Sequence, residues 1–279
     1  MKTYKLINLG SRFLKYSGIL SNRLDSEIIL SHVMGLPRER LLIEEKEIEK
    51  KEISKFKTLI LRRSKSEPIA YITKKKEFRS TKFFVDNNSL IPRPETELLI
   101  DPIISIFKKK KLFFLDAGVG TGCIIFSILK ELKHSKGIGI DKCKKTIINA
   151  RKNLISLKLE SRAKLIHKSI SNVFVNKFDL IVSNPPYIIN RDIKRLSPDI
   201  IKYEPRAALD GGNDGLDVIR KVIYKSKHIL KLNGILALEI GNGQYSSVMK
   251  ILRASNFRQK RVLKDYKNNI RCIFSTLQK

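Results

Sequence analysis

The sequence predicts an α/β protein in which a mostly parallel sheet, covered on both faces, follows a small helical domain and a β-hairpin. Three observations predict it. After residue 111, short apolar β-prone stretches alternate with helical patterns, as a parallel sheet with crossover helices requires. Before about residue 70, apolar positions recur at helical spacing and are punctuated by Gly and Pro. Between the two, residues 71–94 change to β-prone pieces around a turn.

The first region reads as three or four short helices in a bundle. Asp25, Ser26 and Glu27 open an apolar run of Ile28, Ile29, Leu30 and Val33, which Gly35 and Pro37 stop. A second pattern begins near Arg38 and carries Leu41, Leu42 and Ile43. A third runs from about Ile53 to Arg63, with Phe56, Leu59 and Ile60 on one face, and Pro68 ends it. The charged stretch EEKEIEKKE reads as a solvated face. In EFRSTKFFVDNN, Ser80 and Thr81 form the turn of a hairpin that connects two domains. Pro92 and Pro94 bracket Arg93 and hold the chain extended. A helix follows, and Asp101-Pro102 reads as an N-cap with Pro at the first helical position, where that helix breaks or restarts.

In the second region the strands are expected at 112–116, 137–141, 163–167, 178–184 and 235–240. Helices are expected at 122–133, 143–157 and 215–231. The stretches 258–264 and 270–277 follow each other closely and suggest an antiparallel pair at one edge. The domains are therefore read as 1–70 helical, 71–94 hairpin linker and 95–279 catalytic.

Composition restricts the rest. At 279 residues and 42% hydrophobic, the chain can bury a proper core. No apolar run approaches the roughly 20 residues that span a bilayer. MKTYKLINLGSRFLKYSG lacks the apolar block and small residues of a signal peptide. Cys123, Cys143 and Cys272 are scattered and form neither a metal spacing nor a disulfide framework, which fits a reducing cytoplasm. The net charge of +30 permits nucleic acid or an acidic protein as partner. The lysines are dispersed, with only short runs at 74–76 and 108–111, so a compositional bias over solvated faces is the favoured reading.

Asp116-Ala117-Gly118-Val119-Gly120-Thr121-Gly122 follows a strand and opens a helix. Glycines let the backbone turn sharply and let a ligand approach the main chain. The run lacks both the dinucleotide Gly-x-Gly-x-x-Gly spacing and the Gly-Lys-Ser/Thr of a P-loop, so it suits an amino-acid-bearing nucleoside rather than a pyrophosphate. Asp141 ends the next strand about 20 residues on, where a carboxylate can bind both ribose hydroxyls. Alone, the turn is equally a plain strand–helix connection and Asp141 a helix cap. Together, they favour the nucleoside. Here the sequence resembles the class I methyltransferases. The resemblance implies that Gly118, Val119, Gly120, Thr121 and Gly122 line S-adenosylmethionine and that Asp141 binds its ribose.

Asn184-Pro185-Pro186-Tyr187 ends the strand FDLIVS, at the edge where open α/β sheets bind ligands. Two prolines stiffen the backbone and remove N–H donors, leaving local carbonyls as bare acceptors. Asn184 adds a side-chain oxygen and Tyr187 a flat face. Such a site complements a planar NH₂: two acceptors grip its hydrogens, orient it, and stabilise positive charge arriving on nitrogen. No strong base is evident. The bland reading is a proline-stiffened loop with a capping Asn, which the upstream turn and Asp141 disfavour. The motif specifies amino-group chemistry strongly and the substrate weakly.

Ile91-Pro92-Arg93-Pro94-Glu95-Thr96-Glu97 and Tyr203-Glu204-Pro205-Arg206-Ala207-Ala208-Leu209-Asp210-Gly211-Gly212 narrow the choice. With the glycine turn and NPPY, nearly the whole chain resembles the glutamine-N5 protein methyltransferases that modify peptide chain release factors (the HemK/PrmC type). The resemblance implies a Rossmann-like, seven-stranded class I sheet with a small N-terminal helical substrate-docking domain. It implies the glutamine of a Gly-Gly-Gln loop as substrate. Asn184 and the Pro185 carbonyl would hold the amide, with Pro186 and Tyr187 completing the catalytic motif and Asn184 also bordering the cofactor. Residues 188–214 are long for a connection and read as a lid; Glu204 and Arg206 either brace it as an ion pair or, equally, sit at the surface. Two departures stand out. Ser169 and Ile170 occupy places where the family carries an acidic residue and an aromatic near adenine, which implies weaker cofactor binding. The turn reads Asp116-Ala117-Gly118 where the family reads Asp-Leu-Gly.

The alternatives are an amino-group methyltransferase for ribosomal RNA or DNA bases, and a nucleic-acid-binding protein on a retired cofactor fold. The charge permits both; the two family-type segments disfavour the first, and intact Asp141 and Asn184 disfavour the second. The expected protein is a cytoplasmic monomer that binds release factors, no membrane, and nucleic acid only weakly and non-specifically.

Overall fold

The computed structural model describes residues 1–173 and 177–279. The chain divides into two compact units: residues 1–75 with 197–203, and residues 76–196 with 204–279. The hairpin therefore belongs to the second unit, and a short stretch of the expected lid belongs to the first.

The first unit is helical: α1 (Thr3–Tyr16), α2 (Asn22–Met34), α3 (Arg38–Ile43), α4 (Lys50–Ser64) and α5 (Ile69–Thr73). Leu6, Ile7, Leu14, Ile29, Leu30, Phe56 and Ile60 form its core. Helix α2 begins three residues before the expected Asp25. Asp25 lies buried in its first turn, where its carboxylate accepts hydrogen bonds from Ser21 (2.7 Å) and Arg63 (2.6 Å). Helix α4 likewise starts earlier than the apolar pattern, because Glu49 and Glu52 form a reciprocal capping box. Pro68 precedes α5 rather than closing α4 directly.

The second unit opens with the hairpin β1 (Lys75–Phe78) and β2 (Thr81–Phe84). Its turn is Arg79-Ser80, both at positive φ, one residue before the expected Ser-Thr. A 3₁₀ turn at Pro94–Leu99 runs into α6 (Ile100–Phe107). Asp101 is thus inside the first turn of α6, not its cap, and the change of helix type at Ile100 is the restart. There follow β3 (Phe113–Ala117), α7 (Cys123–Glu131), β4 (Lys136–Asp141), α8 (Lys144–Ser156), β5 (Ala163–His167) and β6 (Phe178–Ser183). Then come α9 (Pro198–Tyr203, in the first unit), α10 (Asp217–Ile229), β7 (Leu230–Glu239), α11 (Tyr245–Ala254), β8 (Phe257–Lys264) and β9 (Ile270–Leu277).

Among the described residues the sheet has seven strands in the order β5-β4-β3-β6-β7-β9-β8. The first five are parallel; β9 is antiparallel to β7, and β8 to β9. The late hairpin does close one edge, with its second strand inserted between β7 and the edge strand β8. The central strands β3 and β6 are buried on both faces, one against Leu99, Phe126 and Leu154 of the helices before and within the α/β repeat, the other against Ile223, Val248 and Leu252 of α10 and α11, whereas the edge strand β5 leaves Lys164 and His167 exposed. Strand order reverses between β3 and β6, and at such a switch point the loops leaving the carboxyl ends of the strands separate into a crevice. The expected lid is not structureless: 3₁₀ turns at Asn190–Arg195 and Arg206–Ala208 flank α9.

Candidate functional site

The crevice at the switch point is a cavity of about 250 Å³. The glycine turn forms its floor. Gly118 and Gly120 have φ of +84° and +55°, a region that costs an L-residue about 1–2 kcal/mol. A side-chain carbon at Gly118 would project into open space, and one at Gly120 would lie 3.9 Å from its nearest neighbour. These main-chain positions are therefore bare toward the cavity, and side chains there would fill it. Val119 and Thr121 also line it. Gly122 is set apart from them. It is off the cavity wall, and its missing Cβ makes room for the Phe126 ring one turn into α7.

Asp141 lies on the wall at the end of β4. Its carboxylate accepts the Cys143 N–H at 2.9 Å and the Gly120 N–H at 3.2 Å. Each oxygen keeps a lone pair for a further donor. Burial raises its pKa, and the two N–H groups oppose that. Beneath the turn, Asp116 is fully buried. One of its oxygens accepts the Ile125 N–H and the other has no partner among the described residues. Burial pushes its pKa to about 7, and the charge of Asp141 adds to the rise.

Asn184, Pro185 and Pro186 line the opposite wall. Ser183, the last residue of β6, donates to the Ala117 carbonyl at 2.5 Å, which ties the root of this loop to the glycine turn. The Asn184 amide nitrogen donates to Thr96 Oγ1 at 3.0 Å. That bond turns the Asn184 Oδ1 away from Thr96. Among the described residues neither Asn184 Oδ1 nor the Pro185 carbonyl receives a hydrogen bond. Tyr187 is placed differently from the expected stacking face. It is off the cavity wall, packs on the apolar layer of α10 and α11, and donates to the buried Glu239 at 3.2 Å. Its carbonyl accepts from Gln244 (2.9 Å), and Ile188 is bridged to Leu209 and Gly211 through backbone bonds.

The two segments flanking the motifs both reach the cavity: Pro92, Arg93 and Thr96 from one, Pro205, Ala207 and Ala208 from the other. They are joined by an ion pair, but not the expected one. Glu204 pairs with Arg93 at 2.5 Å and also accepts the Ile91 N–H. Arg206, largely exposed, pairs with Asp210 at 3.4 Å. The reason is burial: the Glu204 carboxylate is almost wholly enclosed and takes the cation brought beside it by the proline-stiffened segment. Ser169 and Ile170 line the cavity as well, and Ser169 accepts the Ser171 N–H.

Three polar residues hold these parts together: Thr96, which belongs to the proline-stiffened segment, and Asn153 and Glu239, which belong to no motif. Asn153 of α8 bonds the Phe84 backbone in both directions and donates to the Thr121 carbonyl at 2.9 Å, fastening the hairpin to the glycine turn. Thr96 and Glu239 stand behind Asn184. Only a carboxyl ending the apolar run LALE hinted at Glu239; Asn153, inside a helix with no motif, gave no such signal.

Residues 5–73 match the family described as PrmC N-terminal domain, and residues 94–213 match the Methyltransferase small domain. The chain is 35% identical over 263 residues to the release factor glutamine methyltransferase of Caulobacter vibrioides, covering 93% of this chain and 91% of that protein. With the protein of the same description from Geobacter sulfurreducens it shares 34% over 255 residues, covering 91% and 89%. Among solved structures, a methyltransferase from Pyrococcus furiosus superposes with a TM-score of 0.54 at 16% identity, covering 81% of this chain and 100% of that one. The last likeness concerns the fold alone.

Proposed function

We propose that this chain, which belongs to the release factor glutamine methyltransferase family, holds the side-chain amide of a release-factor glutamine between Asn184 Oδ1 and the Pro185 carbonyl. The protein transfers a methyl group to that amide from S-adenosylmethionine. The observation that carries the assignment is the bond from the Asn184 amide nitrogen to Thr96. It leaves Asn184 Oδ1 bare, and the Pro185 carbonyl likewise receives no hydrogen bond among the described residues; both residues line the cavity.

The cavity fits the cofactor on its own features. Two side-chain-free, positive-φ positions bare the main chain, and a half-buried carboxylate with spare lone pairs ends the neighbouring strand. Gly118 and Gly120 would let the amino-acid part approach the backbone, and Asp141 would take the ribose hydroxyls. Ser169 and Ile170 border the same cavity and would meet the base, the first as a polar partner and the second by packing. When bound, the cofactor supplies a methyl group made electrophilic by its sulfonium.

An amide nitrogen is a weak nucleophile because its lone pair is delocalised into the carbonyl. Asn184 Oδ1 and the Pro185 carbonyl would accept its two N–H bonds and fix the nitrogen's position in line with the reacting carbon. Orientation of this kind removes much of the entropic barrier. The same two dipoles face the positive charge that develops on nitrogen. Pro186 contributes stiffness rather than a hydrogen bond, since it has no N–H. Tyr187, anchored on Glu239, would hold the far end of the motif in place.

In this reading the first unit docks the substrate, and the enzyme works as a monomer in the cytoplasm, where its three cysteines stay reduced. Its dispersed basic charge gives only weak, non-specific attraction for nucleic acid. Mass spectrometry of release factor incubated with the enzyme and cofactor tests the reading. A gain of one methyl on the glutamine of its Gly-Gly-Gln loop is expected. Methylation of RNA or DNA amino groups with release factor untouched would overturn it.

A further inference from the structure

We infer that Thr96 and Glu239 are positioning residues that set which way round the Asn184 amide faces, through a one-way chain of hydrogen bonds. The inference rests on the role proposed for Asn184.

β6 and β7 are parallel, with Ser183 opposite Leu238, so Asn184 and Glu239 leave the sheet side by side. Thr96 reaches between them from the proline-stiffened segment. Its hydroxyl donates to Glu239 Oε2 at 2.6 Å and accepts the Asn184 amide N–H at 3.0 Å. Tyr187 donates to the other carboxylate oxygen at 3.2 Å. A threonine hydroxyl has one proton. An ionised carboxylate can only accept, so it claims that proton, and Thr96 is left with lone pairs for its other neighbour. Only the NH₂ end of Asn184 can satisfy them. Asn184 Oδ1 must then turn outward, where the substrate amide needs an acceptor.

The carboxylate is what gives the chain its direction. If Glu239 is protonated, its own proton goes to Thr96 or Tyr187. A Thr96 hydroxyl that accepts from Glu239 is free to donate to Asn184 Oδ1, and the amide can reverse. A reversed Asn184 offers N–H to an N–H and repels the substrate. A carboxyl enclosed at the end of an apolar strand is costly, and a leucine would suit the sheet better. Glu239 is 1% exposed. Its ionisation is opposed first by burial, which pushes its pKa to about 7, and by Glu95 on the 3₁₀ turn. It is favoured by Thr96, Tyr187 and Arg271 of β9. The thiols of Cys123 and Cys272 face it uncharged, since burial pushes both up. Arg93 faces the Tyr187 end of the chain. Burial thus brings the ionisation of Glu239 up toward neutral pH.

The test is steady-state methylation of release factor against pH, with calorimetric cofactor binding on the same samples. Wild type should lose kcat on the acid side of a midpoint near 7, because protonation removes the direction of the chain. Glu239→Gln replaces two acceptors by one acceptor and one donor. Its kcat should fall roughly 10²-fold, its acid limb should vanish, and KM for release factor and cofactor affinity should hold. Thr96→Ser keeps the hydroxyl and should keep most of the rate; Thr96→Val should behave like Glu239→Gln. Wild-type kcat in Glu239→Gln or Thr96→Val overturns the inference. So does a wild-type profile flat between about pH 6 and about pH 8, or a loss matched by collapse of cofactor binding. A wild-type enzyme that leaves release factor unmethylated removes the reading underneath, and the inference goes with it.

Discussion

The role proposed for Asn184 would place two demands on one side chain: its nitrogen donates to Thr96, and its oxygen would serve the substrate. Asn184→Ala should therefore lower kcat by about 10²–10³, the usual effect of deleting one preorganised polar contact, while calorimetry finds cofactor affinity nearly unchanged. Near-normal turnover would contradict the assignment. Asp141→Ala should do the opposite, weakening cofactor binding directly, and an unchanged affinity would count against a ribose contact. Asp116 belongs to neither group. Its folded pKa of about 7 lies above its ordinary 3.8, so the native state holds a proton that the unfolded chain releases. Stability from this group is complete below about pH 4 and is lost as pH rises toward 7. The full loss is of order 4 kcal/mol at about 1.4 kcal/mol per unit. Asp116→Asn carries no such charge. The stability of Asp116→Asn relative to wild type, measured by urea unfolding, should climb between about pH 4 and about pH 7 and level off above. A pH-independent difference would show that Asp116 ionises freely in the fold.

Among the elements, the strands β3, β4, β5 and β6 fall within a residue of where β-prone runs place them; in the central β3 and β6, burial on both faces demands a nearly continuous apolar run. Helices with polar first turns begin earlier than their apolar stripes suggest, as α2 and α4 do. Helix α11, with only Val248, Met249 and Leu252 buried, and α1 gave no distinct signal to the pattern reading. The site divides in the same way. Glycines, Asp141 and NPPY were legible because their chemistry depends on residue type at fixed spacing. The Arg93–Glu204 pair was not, since its partners lie 111 positions apart and only the folded chain brings them together. Gly122 shows how a motif residue can serve the packing of an element. Its φ is +84° and the Phe126 ring occupies the space a Cβ would take. Gly122→Ala should destabilise the protein by about 1–3 kcal/mol through overpacking, with roughly 1 kcal/mol more from the left-handed backbone. Thermal unfolding checks this, and a melting temperature equal to wild type would return Gly122 to the cofactor's account.

For the whole molecule the question is how a site that grips one small NH₂ selects one glutamine. The contacts proposed for Asn184 and Pro185 would suit any primary amide, so discrimination has to come from binding energy made elsewhere and used to place the amide. The first unit carries a feature suited to that. Leu9, Phe13 and Tyr16 recur at helical spacing on α1 and are 51%, 47% and 91% exposed, and Leu20 just beyond is 99% exposed. Single exposed apolar residues are ordinary, but a row along one helix face, beside the stripe of buried Leu6, Ile7 and Leu14, is what a docking helix presents. The charge of +30 adds a long-range attraction for an acidic partner that salt would weaken. Replacing Leu9, Phe13 and Tyr16 together by serine leaves the unit's core untouched. KM for intact release factor should rise at least about tenfold, since truncated anchor residues commonly cost more than 1 kcal/mol each. kcat at saturation and cofactor affinity should stay at wild-type values, because Asn184, Pro185 and Asp141 are unaltered. A short peptide spanning the Gly-Gly-Gln loop, too small to use remote contacts, should be methylated equally poorly by both enzymes. If the triple variant keeps the wild-type KM for intact factor, α1 is an ordinary solvated helix and the selecting surface lies in another part of the chain.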